Sequence, residues 1–361
     1  MSIQDKIKEI EEEIQNTPNN KMSQHHIGKL KAKLANLRMQ VAAGKGSSKG
    51  AASLGYSLKK SGDATVVLVG FPSVGKSTLL NALSGEEISP VAAYEFTTLT
   101  VIPAMLLYRG VRIQILDVPG LVAGAASGKG RGKEVLAVLR NAELLLIMGD
   151  ALKLPQIESI KKELYDAGIR MNEIPPRVTV EKKIKGGIYI SKQPGCQLSD
   201  NEIKSVLNEF GYHSADVTVK QDITVDQLID HVAGNRKYVK TLFVVNKVDL
   251  LKNKKSLPAD YIQVSAEEGA GLDNLKEQIY QKLGFIRIYL KPPGREPDFV
   301  NPLILPGDAT VLNVCNKLHK DFKSKFRWAL VTGKSVKFNG QRVGIDHKLL
   351  DEDIITVVVR E

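Results

Sequence analysis

Five predominantly apolar runs of strand length constrain the fold of this chain of 361 residues more than any other feature. Segments with helical spacing separate several of them, and we place these near 76–84, 131–141, 156–167 and 273–283. Strands that are apolar throughout, rather than at every second position, are buried on both faces. The pattern therefore predicts an α/β fold with a mostly parallel sheet covered by helices. The five runs are ATVVLVG, VRIQILD, ELLLIMGD, TLFVVNKVD and YIQVSA.

The segments on either side of these runs predict additional modules. Ile3, Ile7, Ile10 and Ile14 follow helical spacing, and a second helix is expected near 23–42, so the N-terminus reads as a helical hairpin. Residues 43–55 are a linker rich in Gly, Ser and Ala. After Gly284 a strand, the helix VLNVCNKLHKDF, a hairpin and a final strand predict a small mixed α/β module.

One connection is too long for a single crossover between parallel strands. About 90 residues lie between the third and fourth apolar runs. Within them PPRVTVEKKIKGGIYIS is typical of a β-hairpin and DNEIKSVLNEFGYH of a helix, which predicts an inserted α+β subdomain. The predicted division of the chain is 1–62, 63–170, 171–240, 241–284 and 285–361.

Composition restricts the cellular compartment that is expected for the chain. Two cysteines without a CxxC pair argue against a disulfide framework or a structural zinc site, and favour a reducing cytoplasm. No apolar run approaches the ~18–20 residues that a membrane span needs, and the charged N-terminus is unlike a secretory signal.

Residues 1–62 carry 11 Lys and Arg against 5 Asp and Glu, and residues 285–361 carry 13 against 9. These net charges of +6 and +4 suit a polyanion, although solvated helical faces are equally often rich in lysine.

A glycine-rich stretch follows the first apolar run directly and leads into the helix TLLNAL. GFPSVGKST matches G-x-x-x-x-G-K-[ST], the pattern of loops whose backbone amides cradle phosphate groups at a helix N-terminus. We expect Lys76 to reach the β- and γ-phosphates of a nucleotide and Ser77 to offer its hydroxyl to Mg²⁺. The expected nucleotide contacts here are Gly70, Phe71, Pro72, Ser73, Val74, Gly75, Lys76, Ser77 and Thr78.

Two further segments would complete the site for a triphosphate and its metal ion. DVPG ends the second apolar run, where Asp117 can hold Mg²⁺ through water and the Gly120 amide can sense the γ-phosphate. YEFTTLT lies between the phosphate loop and DVPG, and we assign Thr98 as a metal ligand, with Thr97 as the alternative and Phe96 beside them. Catalytic roles are thus expected for Lys76, Thr98 and Gly120, and metal ligation for Ser77, Thr98 and Asp117.

The end of the fourth apolar run indicates which base is bound. In NKVD, Asp249 can accept hydrogen bonds from N1–H and the exocyclic amine of guanine, whereas adenine would leave the carboxylate unpaired. Asn246 is expected to brace neighbouring loops and the Lys247 stem to cover the base. A backbone amide of Ser265, Ala266 or Glu267, after the fifth run, would read guanine O6. The predicted ligands are therefore GTP and GDP, with Mg²⁺.

The ordered set GFPSVGKS, TT, DVPG, NKVD and SAE resembles the translation-factor-related GTPases. AAYEFTTLTVIP and LVAGAASGKGRGKEV are similar to the Obg-related branch. KIKEIEEEI, AGNRKY and the tail from PDFVNPLILPGD onward resemble the developmentally regulated GTP-binding protein (DRG) subfamily, over essentially the whole chain. The resemblance implies a helix-turn-helix N-terminus, a GTPase domain with an inserted subdomain, and a C-terminal TGS domain of β-grasp fold.

The resemblance also implies partners. Family members are associated with ribosomes and translation, so the ribosome, ribosomal RNA or transfer RNA is expected to meet the basic N-terminal and TGS regions. Eukaryotic members bind a dedicated stabilising protein, which makes such a partner a further candidate here, while neither a membrane nor DNA is expected.

Two positions bear on the rate of hydrolysis. Leu121 stands where Ras-type enzymes carry a glutamine that orients water, so slow hydrolysis, on the order of 10⁻⁴–10⁻² s⁻¹, is expected. Ser73 occupies the position at which related potassium-stimulated GTPases place Asn, although the DRG pattern has this serine, and K⁺ activation is a hypothesis. The sequence thus predicts a Mg²⁺-dependent GTPase that acts with the ribosome. The alternative is a nucleotide-dependent switch that binds RNA or ribosomes and for which hydrolysis is incidental.

Overall fold

The computed structural model describes residues 2–18, 20, 23–43, 62–84, 102–118, 132–251 and 257–360. Within these ranges the chain forms two compact units. The hairpin unit contains residues up to 43 and residues 163–239, and the sheet unit contains residues 62–162 and 240–360. Among the described residues, no helix has both the length and the apolar character needed to cross a membrane.

Helices and strands alternate through much of the described chain. The helices are α1 (Ile3–Asn16), α2 (Gln24–Ala43), α3 (Lys76–Ser84), α4 (Gly132–Asn141), α5 (Pro155–Asp166), α6 (Asp200–Glu209), α7 (Val225–Ala233), α8 (Leu272–Leu283), α9 (Val311–Leu318) and α10 (Lys320–Ser324). The strands are β1 (Ala64–Gly70), β2 (Ile102–Tyr108), β3 (Val111–Asp117), β4 (Leu144–Asp150), β5 (Ile169–Met171), β6 (Val178–Lys182), β7 (Ile188–Lys192), β8 (Ala215–Val219), β9 (Lys237–Asn246), β10 (Tyr261–Gln263), β11 (Phe285–Leu290), β12 (Leu303–Pro306), β13 (Phe326–Thr332), β14 (Gln341–Val343) and β15 (Ile354–Val359).

The main sheet of the sheet unit has the strand order β10-β9-β4-β1-β3-β2. Its neighbouring strands run parallel except for the antiparallel pair β2 and β3. Every residue of β1 and of β4 is buried, which requires cover on both faces of the sheet. The mostly parallel α/β fold is therefore confirmed. Because β1, β3, β4 and β9 are parallel, their carboxyl ends lie at one edge of the sheet.

Helices α3 and α8 cover one face of this sheet. Leu79, Leu80 and Leu83 of α3 pack in a core with Leu275 and Ile279 of α8 and with side chains from the strands. The helical spacing of these leucines is the pattern from which the sequence predicts helices near 76–84 and 273–283. Burial of this apolar face holds α3 in place, and with it the loop that precedes α3.

The C-terminal module is a five-stranded sheet in the order β12-β11-β15-β13-β14, packed against α9. The predicted hairpin is confirmed, because β13 and β14 pair in antiparallel fashion. The predicted single helix VLNVCNKLHKDF is wrong, because α9 and α10 are separate helices. His319 between them is extended, with φ −165° and ψ 150°, and its Nδ1 accepts a hydrogen bond from the backbone N–H of Asp321.

In the hairpin unit, the N-terminal helices and the inserted subdomain share one hydrophobic core. Ala32 and Ala35 of α2 lie in the same cluster as Ile203 of α6 and Leu228 of α7. Small side chains on α2 let the helices approach closely, since a Cβ on Gly28 would lie 3.3 Å from Val225. The sequence pattern predicts these two segments as separate modules, 1–62 and 171–240, and those boundaries remain predictions.

The expected hairpin between β6 and β7 is wrong. Strand β8 lies between them, antiparallel to β6 and parallel to β7. The connection between β6 and β7 bonds to the start of β8 at both of its ends. The Lys183 amide donates to the Ser214 carbonyl, and the Ala215 amide donates to the Gly187 carbonyl. A strand later in the sequence has thus inserted between two strands that local pattern alone would pair.

Candidate functional site

The phosphate-loop motif occupies the turn from β1 into α3, at the carboxyl edge of the sheet. Ser73 and Gly75 adopt left-handed conformations, with φ values of 65° and 92°. A Cβ on Gly75 would lie 2.5 Å from the Asn246 side-chain nitrogen, so only glycine fits there without displacing that side chain. Pro72, Ser73, Ser77 and Thr78 are exposed, Phe71 is half-buried, and Val74 is buried beneath the loop.

Lys76 begins α3 and reaches back across the loop. Its Nζ donates to the carbonyl oxygens of Gly70 at 3.1 Å and Phe71 at 3.2 Å. Both acceptors are neutral, and within the described part of the chain no carboxylate forms an ion pair with this ammonium. Its charge, together with the N-terminal dipole of α3, makes this end of the helix suited to an anion.

Asp117, at the end of β3, is buried and only partly satisfied. Ser77 Oγ donates to its Oδ2 over 3.3 Å, whereas Oδ1 has no hydrogen-bond partner among the residues that the structure describes. Burial raises the pKa of the Asp117 carboxyl, and the Lys76 charge and the Ser77 hydrogen bond oppose that shift. The Asp117 oxygen that is unpaired within the described chain lies next to a serine hydroxyl, and Mg²⁺ prefers such hard oxygen ligands, so these two residues fit Mg²⁺.

Asn246 ties two loops together at the end of β9. Its Nδ2 donates to the Val74 carbonyl at 3.0 Å, and its Oδ1 accepts the Ala266 amide at 2.9 Å. The side chain is 3% exposed, so both hydrogen bonds are shielded from water. This single amide joins the phosphate loop to the segment that contains Ser265, Ala266 and Glu267, as the sequence predicts in outline.

Lys247 makes a second connection to the phosphate loop. Its Nζ donates to the Ser73 carbonyl at 2.9 Å and to Oδ2 of Asp150 at 2.8 Å. Asp150 ends β4, beside Asn246 in the sheet register. Burial acts to raise the pKa of the Asp150 carboxyl, but hydrogen bonds from Lys247 and the Leu152 amide, with the charges of Lys247 and Lys153, outweigh it, and the pKa is lowered.

The groups assigned to base recognition lie beside this connection. Asp249 falls in a 3₁₀ turn, Val248–Leu250, and is half-buried. No other described residue forms a hydrogen bond or ion pair with its carboxylate. Ser265 and Ala266 are buried and Glu267 is exposed. Because the Ala266 amide is held by Asn246, the Glu267 amide is the donor of this segment with no partner among the described residues.

Sequence reasoning missed one member of this cluster, Asp150. The apolar run ELLLIMGD identifies β4 correctly, and its terminal Asp is the only available signal. A carboxylate at the carboxyl end of a strand next to the phosphate-loop strand is placed where α/β folds bind ligands. Of the other predicted site residues, Phe96, Thr97, Thr98 and Gly120 lie outside the described residues, and so does Leu121.

Comparison with protein families gives three matches that together cover most of the chain. Residues 65–183 match the family described as 50S ribosome-binding GTPase. Residues 185–285 match the C-terminal region of that GTPase domain family. Residues 286–359 match the TGS domain.

Individual proteins resemble the chain over its full length. It is 52% identical to an uncharacterized GTP-binding protein of Methanocaldococcus jannaschii, covering 100% of this chain and 94% of that protein. It is 45% identical to developmentally-regulated GTP-binding protein 1 of Xenopus laevis, covering 98% of each. Among solved structures, the YchF GTPase of Schizosaccharomyces pombe matches 83% of this chain and 99% of its own, with 14% identity and a TM-score of 0.44.

Proposed function

Because the chain belongs to the developmentally regulated GTP-binding protein (DRG) family, with a GTPase domain and a TGS domain, we propose that it hydrolyses GTP to GDP and phosphate with Mg²⁺. One observation carries the proposal. The Asn246 side chain links the phosphate loop, through Val74, to the Ala266 amide of the segment assigned to base recognition. Groups suited to phosphate, metal and guanine therefore converge on one edge of the sheet.

Positioning and electrostatics supply the chemistry in this proposal. Lys76 and the amides of the phosphate loop stabilise negative charge on the β- and γ-phosphates, so that water can attack in line. No residue needs to form a covalent intermediate. Ser77 and Asp117 would hold Mg²⁺, with Thr98 as the third predicted ligand, and the bound ion would withdraw charge from the phosphate oxygens.

Base selection in this proposal depends on Asp249. The half-buried carboxylate, unpaired among the described residues, would accept N1–H and the 2-amino group of guanine, and the Glu267 amide would donate to O6. Replacement of Asp249 by Asn should shift preference toward xanthine nucleotides, whose ring carries a carbonyl where guanine has the amine. Undiminished affinity of Asp249→Asn for GTP would contradict this assignment.

The intrinsic reaction is expected to be slow, because leucine at position 121 has no group that can orient water. We infer that the missing group is supplied in trans by the ribosome. The net charges of +6 over residues 1–62 and +4 over residues 285–361, and the match to a ribosome-binding GTPase family, support a ribosomal partner. K⁺ activation stays a hypothesis, and equal turnover in NaCl and KCl would remove it.

Single-turnover hydrolysis of GTP and of ATP, in KCl with and without purified ribosomes, tests the proposal. Strong acceleration of GTP turnover alone by ribosomes is the expected result. Slow GTP turnover that ribosomes leave unchanged, combined with GTP-dependent ribosome binding, would instead support the nucleotide-dependent switch. Preferential hydrolysis of ATP would contradict both.

A further inference from the structure

Both oxygens of the Asp150 carboxylate accept hydrogen bonds. Oδ2 accepts Lys247 Nζ at 2.8 Å, and Oδ1 accepts the Leu152 amide at 2.9 Å. The side chain is 9% exposed, so little water competes for it. In this environment the carboxylate holds the ammonium in a fixed direction rather than as a mobile surface pair.

Lys247 is constrained at both ends. Its backbone adopts a left-handed conformation with φ 63°, which is uncommon for a residue other than glycine and points to a functional constraint. Its Nζ lies between Asp150 and the Ser73 carbonyl, at 2.8 and 2.9 Å. The long flexible side chain is therefore drawn toward the phosphate loop and held there.

Asp249 is a second carboxylate that would attract the Lys247 ammonium if Asp150 did not hold it. Asp249 lies two residues after Lys247 on the same loop, is half-buried, and has no ion-pair partner among the described residues. An ammonium released from Asp150 would be attracted to it. Asp249 paired in that way could no longer accept both donors on the Watson–Crick edge of guanine.

We propose that Asp150 is a positioning residue that determines base specificity, because it holds Lys247 against the phosphate loop and keeps the Asp249 carboxylate free for guanine. The inference rests on the guanine recognition proposed above. The negative charge of Asp150 matters as well as its shape. An asparagine would keep one acceptor for Lys247 but would leave the ammonium without a neutralising partner.

Equilibrium binding of GDP and IDP tests this, since inosine lacks only the 2-amino group. In Asp150→Ala the affinity for GDP should fall by ~10–100-fold and that for IDP by much less, so that the GDP-to-IDP preference falls by about tenfold. Asp150→Asn should be intermediate. The matched control is Asp226→Asn, which loses the 2.8 Å pair with Lys31 in the hairpin unit and should leave both affinities unchanged.

A double variant separates this role from a structural one. Adding Lys247→Met to Asp150→Ala removes the ammonium that would otherwise reach Asp249, so the GDP-to-IDP preference should recover while the overall affinity stays low. Loosening of the loops alone would weaken both nucleotides equally and would not be rescued.

Three results bear on the inference in different ways. Equal loss of GDP and IDP affinity in Asp150→Ala, or no loss in either Asp150 variant, overturns it. Thermal unfolding of the nucleotide-free variants identifies a folding defect. If Asp150→Ala has one, the GDP-to-IDP preference of the isosteric Asp150→Asn decides the question. A wild-type chain that binds GDP and IDP equally would overturn the proposed guanine recognition itself, whereas a wild-type preference that persists in Asp150→Asn would overturn only the role of Asp150.

Discussion

Two buried aspartates, one in each compact unit, are satisfied to opposite degrees. Asp230 in the hairpin unit is 5% exposed and accepts hydrogen bonds from Arg170 Nε at 2.5 Å, Arg170 Nη2 at 2.7 Å and Arg236 Nε at 2.6 Å. Asp117 in the sheet unit is 6% exposed, and within the described ranges it has one 3.3 Å hydrogen bond and one oxygen without a partner. Saturation of a buried carboxylate holds a fold together, whereas an unsatisfied one is available to a ligand.

The largest effect should follow from removing the saturated carboxylate. Asp230→Ala leaves two arginines without their shared partner, and Arg170 is 3% exposed, so the hairpin unit should lose ~3–5 kcal/mol of unfolding free energy. Denaturant unfolding measures this. A loss below about 1 kcal/mol would show that the network contributes little, and the comparison between the two aspartates would fail.

A pair of glycines sharpens the contrast between site and scaffold. Gly75 and Gly234 both have positive φ, at 92° and 64°, but a Cβ on Gly75 meets Asn246 Nδ2 at 2.5 Å, whereas nothing lies within 4 Å of one on Gly234. Gly75→Ala must displace the amide that joins the two loops and should reduce GDP affinity by at least ~10²-fold. Gly234→Ala should lower the free energy of unfolding by about 1 kcal/mol, because alanine is strained in the left-handed conformation of this residue.

GDP titration and thermal unfolding of both glycine variants check this prediction. The expected pattern is a large loss of binding for Gly75→Ala and a small loss of stability alone for Gly234→Ala. Equal binding by the two variants would mean that the Asn246 bridge does not organise the phosphate loop.

The unsatisfied aspartate should destabilise the nucleotide-free fold. Burial raises the pKa of Asp117 above 3.8, so the folded carboxyl keeps its proton to a higher pH than the unfolded one. Its ionised form therefore opposes folding at neutral pH, and the penalty disappears once the pH falls below 3.8. Asp117→Asn should therefore raise the free energy of unfolding by about 1 kcal/mol at neutral pH, which corresponds to a rise in Tm of ~2–4 °C.

The same variant should behave oppositely when ligand is present. With Mg²⁺ and GDP the wild type should be stabilised more than Asp117→Asn, because the variant lacks the charged oxygen suited to the metal. Melting curves of both proteins measure the two expected differences in Tm: the variant higher than the wild type in EDTA, and the wild type stabilised more by Mg²⁺–GDP. A variant that is less stable in EDTA would show that the unpaired oxygen is harmless in the nucleotide-free protein.

How far the sequence predicts this site depends on whether the information is local. Lys76, Ser77 and Asn246 are identified by motifs, and parallel strands bring those motifs to one edge whatever the details of packing. Asp150 has no motif, since a single aspartate after a strand becomes informative only when Lys247 is seen to reach it. Thr98 and Gly120 lie outside the described residues, and their roles stay predictions.

The error in strand pairing has the same origin. Local pattern pairs β6 with β7 across a Gly–Gly turn, but β8, which follows both strands and α6 in the sequence, bonds to both ends of their connection. Competition from a distant strand leaves no trace in the segment itself. The broad α/β architecture is predictable because it follows from the burial of each strand, whereas neighbour order in a small sheet is decided by non-local contacts.

The smallest effect concerns two ion pairs of equal length. Lys31–Asp226 and Lys247–Asp150 both measure 2.8 Å, but the side chains of the first are 38% and 42% exposed and those of the second 32% and 9%. Double-mutant cycles for stability should give a coupling of ~0.2–1 kcal/mol for Lys31–Asp226, falling with added salt. The Lys247–Asp150 coupling should be larger and less sensitive to salt, because one partner is shielded from water. Equal couplings would show that geometry alone sets their strength, and burial would then not distinguish a pair that positions a site from one on the surface.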